Sequence, residues 1–222
     1  MAKFLSDFQK EFLKEFGKTK FADSFIWSGG TALSYYYLQH RESFDLDFMS
    51  TDLFPDEYIL AEIKKLTANL KINKTEEKKI YNRYNFWLTK KETLKIEFIF
   101  YPFPFIEKPK KLKEFNIKID SIKDILTNKT HAIFERSEPK DVFDFYCILQ
   151  KEKIKFPIVF KWVKNKFSVE IDPVLFVGKI LEGVDKLNGI KPFIVKREFY
   201  NIDKIKKYFE KEAQNYLKKI IR

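Results

Sequence analysis

Apolar residues recur along this chain with two periods, and the change from one to the other organises it. Phe4, Phe8, Phe12 and Phe16, with Leu5 and Leu13, fall at three- and four-residue spacing and predict a helix over 3–17. A short strand at 25–28 and a helix at 31–40 come next. Strict alternation then sets Phe44, Leu46 and Phe48 against Asp45 and Asp47, which predicts a strand over 44–49. Asp52 and Pro55 punctuate before a helix at 56–69 carrying Ile59, Leu60, Ile63 and Leu66, and strands follow near 71–76, 79–89 and 93–101. The run Tyr101-Pro102-Phe103-Pro104-Phe105, continuing to Pro109, reads as loop because proline cannot serve a central strand. Ile117 and Ile119 mark one more short strand. From Ser121 onward only helices are expected, at 121–136, 140–150, 156–167, 173–183 and 202–221. Strands early and helices late predict an α+β fold, with a mixed-sheet domain over 1–120 followed by a helical domain over 121–222.

Composition changes this picture in two places. The net charge of +11 is uneven: the last 72 residues hold 18 Lys and Arg against 9 Asp and Glu, so nearly all the excess lies there. Such a surface suits a polyanion such as nucleic acid, or serves only as a solvated face. A single cysteine, Cys147, excludes an intrachain disulfide and sits among Phe145, Tyr146 and Leu149 as a small buried residue. No run of about 18 apolar residues is present for a membrane span, and residues 1–17 lack a signal-peptide core. A cytoplasmic protein without membrane association is expected.

Candidate chemistry concentrates at Gly29-Gly30-Thr31. With only six glycines in the chain, an adjacent pair between a strand and a helix stands out. Backbone N–H groups exposed at a helix start suit a phosphate. Asp45 and Asp47 share the polar face of their strand, and on strand 93–101 Lys95 and Glu97 lie opposite Ile96, Phe98 and Phe100. If the two strands are neighbours, Glu97 joins the aspartates, and three crowded carboxylates call for a hard divalent cation. Solvated acids on exposed faces are the plainer alternative. Lys129 falls on the apolar stripe of Ile122, Ile125, Leu126 and Ile133 and so requires an anionic partner, or else snorkels at the stripe's edge. Pro139, Asp141 and Asp144 make a well-formed helix start, whose acidic face can equally pair with Arg136, Lys140 or Arg41. His40 and His131 with one cysteine cannot complete a tetrahedral zinc site, and no Ser-His-Asp set or Gly-x-x-x-x-Gly-Lys loop occurs.

The ordered pattern Gly29-Gly30-Thr31-Ala32-Leu33, His40-Arg41-x-Ser43-x-Asp45-Leu46-Asp47-Phe48 resembles the signature of the AbiEii/AbiGii-type nucleotidyltransferases, toxins of bacterial abortive-infection toxin–antitoxin systems. Lys129-x-x-Ala132-x-x-x-Arg136 and Lys140-Asp141-Val142-Phe143-Asp144-Phe145 are similar to that family's helical signature, and the resemblance spans about residues 25–150. It implies a polymerase-β-like fold: a nucleotidyltransferase mixed sheet with flanking helices, then a C-terminal helical bundle. By matching positions, Asp45, Asp47 and Glu97 would bind Mg²⁺ or Mn²⁺ and act in catalysis together with Lys129. Gly29, Gly30, Thr31, Arg41, Ser43, Lys129, Lys140 and Asp141 would bind the nucleotide. The implied reaction moves NMP from an NTP to an acceptor, with RNA (tRNA) expected, a separate antitoxin protein as partner and phage defence as the setting. Transfer to a protein side chain, and a nucleotide- or RNA-binding module without turnover, remain the alternatives.

Overall fold

A computed structural model describes residues 4–220, and these fall into two compact units. The first runs to Tyr37 and resumes at Glu42–Ser121; the second joins Leu38–Arg41 to the chain from Ile122 onward.

The first unit is a seven-stranded mixed sheet. Its strands are β1 (Ile26–Ser28), β2 (Leu46–Ser50), β3 (Lys74–Ile80), β4 (Arg83–Thr89), β5 (Thr93–Phe100), β6 (Lys110–Leu112) and β7 (Ile117–Ile119), in the order β3-β4-β5-β2-β1-β7-β6. The pairs β2/β5 and β1/β7 are parallel and the others antiparallel. Register places Trp27 beside Phe48, Phe48 beside Phe98 and Phe98 beside Tyr84, so one face of the sheet is a continuous aromatic surface. Helix α1 (Asp7–Phe16) contributes Phe12, Leu13 and Phe16 to the same core, with the Phe16 ring 4.5 Å from Phe48. The expected start at residue 3 lies outside the described residues. The helix begins at Asp7 because Ser6 and Gln9 close a reciprocal capping box, each side chain bonded to the other's backbone N–H.

Several expected boundaries shift for local reasons. The helix expected at 31–40 starts two residues earlier: α2 (Gly29–Ala32) continues as a wide π-type turn over Leu33–Leu38, and Gln39 at φ 53° ends it. His40 therefore lies beyond the helix, not at its last turn. Phe44 is 58% exposed, because β2 begins only at Leu46. The single strand expected at 79–89 is a hairpin turning at Tyr81-Asn82, with Tyr81 at φ 51°. Strand β6, Lys-Lys-Leu, carries too little apolar pattern to be foreseen and pairs at the sheet edge with β7. Helix α3 (Asp56–Asn69) has its expected bounds and buries Ile59, Ile63 and Leu66.

The second unit is helical: α4 (Ile122–Arg136), α5 (Pro139–Glu152), α6 (Phe156–Phe167), α7 (Pro173–Asp185) and α8 (Ile202–Ile220). Short 3-10 turns at Leu187–Phe193 and Arg197–Phe199, absent from the sequence expectation, join the last two helices. Its core centres on Phe145, whose ring lies 5.7–5.9 Å from those of Phe156, Phe176 and Phe209. On the stripe of α8, Ile205 and Phe209 are fully buried and Tyr216 rests against Phe160, so the helix packs within its own unit. Residue 221 of the expected helix lies outside the described residues. The segment Leu38–Arg41 belongs here because the Val195 and Lys196 N–H groups donate to the His40 carbonyl and the Lys196 ammonium to that of Leu38.

Candidate active site

The polar face of the sheet carries the candidate chemistry of the first unit. Because strand neighbours in register share a face, Ser28, Asp47, Glu97 and Asn85 form one row across β1, β2, β5 and β4. The row continues to Asp120, directly after β7, whose buried carboxylate accepts a hydrogen bond from Ser28 Oγ at 2.8 Å and another from the Ser121 N–H at 3.0 Å. Asp45 precedes β2 on the same face and is half exposed.

The glycine turn sits directly on this row. Gly29 has φ +75°, and a Cβ built there would lie 2.0 Å from Asp47 Oδ2. The Asp47 carboxylate therefore fills the space that any other residue's side chain would take. Thr31 Oγ1 donates to the Asp45 carbonyl at 2.5 Å, tying the first helical turn to the residue that begins the carboxylate pair. Gly29, Thr31, Asp45 and Asp47 thus form one locally braced structure. A Gly29→Ala variant must adopt a strained backbone and displace Asp47. It is expected to destabilise the protein by about 1–3 kcal/mol, read by thermal melting; a wild-type melting temperature in that variant would contradict the geometry.

Glu97 is engaged by cations. Arg83 Nη1 donates to Oε2 at 2.6 Å, Lys95 Nζ donates to Oε1, and the same ammonium is 3.8 Å from Asp45 Oδ2. Burial works against the Lys95 charge, yet the hydrogen bond and charge of Glu97, with Asp45 and Asp47 beyond it, raise its pKa. Among the described residues no group of three or more His, Cys, Asp or Glu side chains is arranged to hold a metal ion. The three acids share a face, and Glu97 holds Arg83 and Lys95. Ser43, just ahead of Asp45, is half-buried and its carbonyl lies 3.4 Å from Gln9 Nε2.

Arg41, Lys129 and Asp141 come together in the second unit as parts of a buried ionic network. Asp144 accepts from His40 Nε2 at 2.7 Å, Arg41 Nε at 2.6 Å, Arg41 Nη2 at 2.7 Å and Lys129 Nζ at 2.9 Å. Asp141 accepts from Lys129 Nζ at 2.5 Å and from Arg136 Nη2 at 2.7 Å. Both carboxylates are fully buried. Lys129 thus finds the anionic partners its place on an apolar stripe demands. Burial favours the neutral acids, but the Arg41 and Lys129 cations hold Asp144 well below the usual carboxylate range, and Lys129 and Arg136 hold Asp141 below it too. The same carboxylates raise Lys129 and Arg41 against their burial. Burial lowers His40 and outweighs its hydrogen bond to Asp144. Lys140 stands apart, exposed on α5.

Sequence reasoning singled out neither Arg83 nor Asp120, and it left Asp144 outside the site. Arg83 and Asn85 alternate along β4 as Lys95 and Glu97 do along β5, which is the signal that a strand pairing would have turned into a contact.

The network sets a pH dependence whose sign follows from these shifts. Asp144 and Asp141 titrate lower when folded than the unfolded value of about 3.9, so their stabilisation is complete above that value and is lost as pH falls through the folded values. His40 titrates lower when folded than its unfolded value of about 6.5, so the unfolded chain takes up the proton first and stability falls as pH drops below about 6.5. Melting temperature is expected to decline in two stages on acidification, and His40→Gln to remove the first. The same first-stage decline in that variant would exclude His40 as its source.

A family model described as "Nucleotidyl transferase AbiEii toxin, Type IV TA system" matches residues 11–193. An uncharacterized protein of Aquifex aeolicus (strain VF5) is 27% identical over 208 residues, covering 91% of this chain and 96% of the relative. Two solved Helicobacter pylori structures share the fold at 22% identity. One, provisionally assigned as a nucleotidyltransferase, has a TM-score of 0.59 with 97% of each chain covered. The other, JHP933, has a TM-score of 0.58 with 95% of this chain and 89% of the other covered. Among the described residues no helix is long and apolar enough to cross a membrane. With the glycine turn seated on an Asp-x-Asp strand and a family model that spans most of its length, this chain belongs to the AbiEii nucleotidyl transferase toxin family of type IV toxin–antitoxin systems.

Proposed function

We propose that the protein transfers a nucleoside monophosphate from an NTP to the hydroxyl of an RNA acceptor, with a divalent cation held by Asp45 and Asp47. The observation that supports this reading is the seat of the Asp47 carboxylate against Gly29, which sets the backbone of the glycine turn, suited to phosphate, within a few ångströms of carboxylate oxygens suited to a hard cation. The donor set is all carboxylate oxygen, the chemistry that Mg²⁺ and Mn²⁺ prefer.

The backbone N–H groups of the Gly29–Thr31 turn bind phosphate oxygens and orient the triphosphate. Asp45 and Asp47 would hold the divalent ion, which would supply positive charge against the phosphates. Asp120, through Ser28, and Thr31, through the Asp45 carbonyl, keep the turn and the strand in register. The acceptor oxygen forms a bond to the α-phosphorus as the bond to the β-phosphate oxygen breaks. Pyrophosphate leaves with the bonding pair, and the acceptor proton passes to solvent.

RNA is favoured as acceptor by charge. The excess of 18 Lys and Arg over 9 Asp and Glu in the last 72 residues gives the second unit a surface suited to sequence-independent phosphate contacts. The test is incubation with each α-labelled NTP, Mg²⁺ and either total tRNA or cell lysate. Label is expected in RNA and to require Mg²⁺. Label confined to protein bands would refute RNA as acceptor, and label in neither would refute the transfer itself. Co-expression with a neighbouring small regulator is expected to relieve growth arrest without altering the purified enzyme's chemistry.

A further inference from the structure

We propose that the outer face of α8, carrying Lys204, Lys207, Lys211 and Lys218, is the track along which the RNA acceptor lies, and that a cavity at its end receives one base of the strand. The assignment rests on the RNA-acceptor reading above and deepens it by giving that partner a surface.

Helical periodicity makes the face. Lys204, Lys207, Lys211 and Lys218 recur at three-, four- and seven-residue spacing, Gln214 and Asn215 fill the longest gap, and all six are exposed. Ile205, Phe209 and Ala213 lie on the opposite side and are buried. The acids of the helix, Asp203, Glu210 and Glu212, fall to either side of the stripe and not on it. From Lys204 to Lys218 the row is about 21 Å long, at about 1.5 Å of rise per residue.

The row differs from the other lysines around it. Lys155 pairs with Glu212 at 3.0 Å, Lys186 with Glu182 at 2.7 Å and Lys206 with Asp185 at 3.6 Å. Among the described residues no carboxylate stands within ion-pair distance of Lys204, Lys207, Lys211 or Lys218. Like charges three and four residues apart repel and weaken a helix. A polyanion laid along the row turns that repulsion into attraction and gives up its own counterions in doing so.

Two observations select a nucleic-acid strand among polyanions. The apolar side of α8 is packed into its own unit, with Phe209 buried and Tyr216 against Phe160, so no apolar face is left to enter a membrane. At the C-terminal end of the row, Asn215 and Lys218 also line a cavity of about 400 Å³, together with Tyr216 and Lys155. That volume lies in the range of small-ligand sites. The Asn215 amide can both donate and accept, as the edge of a base requires, and the Tyr216 ring, edge-on to Phe160 at 5.5 Å, offers an aromatic wall. A strand whose phosphates follow the lysines can turn one unstacked base into this cavity.

The test is binding without turnover. Fluorescein-labelled total tRNA is titrated with protein over a series of KCl concentrations, without NTP or divalent ion, and read by anisotropy; a labelled inorganic polyphosphate serves as the base-free probe. The triple variant Lys204→Gln, Lys207→Gln, Lys211→Gln is expected to bind RNA roughly tenfold or more weakly at about 0.1 M salt, with a log–log salt slope shallower by about 2. The same change at the exposed Lys164, Lys186 and Lys191 is expected to leave both near wild type. Asn215→Ala is expected to weaken RNA binding several-fold and to leave polyphosphate binding unchanged. Melting curves show that each variant is folded, as exposed positions allow. Equal losses in the two triple variants, or RNA binding indifferent to Asn215→Ala, would overturn the proposal while leaving an RNA acceptor in place. A track variant weakened for polyphosphate but not for RNA would assign the face to another polyanion and overturn it too. Wild-type protein that binds no RNA would instead remove the acceptor reading on which the proposal stands.

Discussion

Replacing Asp47 by asparagine is expected to lower nucleotidyl transfer on the order of 10³-fold while leaving the fold intact. The substitution keeps the side chain's size and its place against Gly29, so no cavity opens and no strain is added. The row keeps Arg83 and Lys95 against Glu97 and Asp45, and folding stability is therefore expected to change little. Under the proposed reaction what is lost is an anionic oxygen for the cation, worth several kcal/mol of charge stabilisation, and about 4 kcal/mol corresponds to a thousandfold in rate. Turnover of a labelled NTP set beside a melting curve checks both halves. A stable Asp47→Asn protein with near wild-type turnover would place the chemistry elsewhere.

The second large effect is on stability. Asp144→Ala is expected to destabilise the protein by about 3–5 kcal/mol, because truncation leaves Arg41 and Lys129 buried without their shared anion. At roughly 2–4 °C per kcal/mol for a chain of this size, the melting temperature should fall by about 6–20 °C. That is a large share of a typical net stability of about 5–15 kcal/mol. The comparison is Lys140→Ala on the same helix, an exposed change expected to stay within about 0.5 kcal/mol. If the two variants melt alike, the network does not hold this unit together.

How far the chain can be read depends on the range of each interaction. The Asp-x-Asp pair and its sheet face are legible because strand alternation is local, and the flanking Leu46 and Phe48 fix which side is buried. The helices from Ile122 onward are legible for the same reason, since a 3.6-residue stripe needs no partner to be recognised. Glu97 is half legible: its face follows from Ile96 and Phe98, but its engagement by Arg83 depends on how β4 pairs with β5. Asp144 is further out of reach. Its partners His40 and Arg41 lie 104 and 103 residues away, and nothing local distinguishes it from a helix-start acid. The first helical turn at Gly29 is hidden because glycine is a poor helix former, and its reason for being there is the Asp47 carboxylate from another strand.

The placement of the triphosphate tests the account most directly. A crystal structure with a non-hydrolysable NTP analogue and Mg²⁺ should show phosphate oxygens on the backbone N–H groups of Gly29–Thr31 and the ion bound by Asp45 and Asp47. An analogue bound away from the glycine turn, with neither aspartate near the metal, would contradict it.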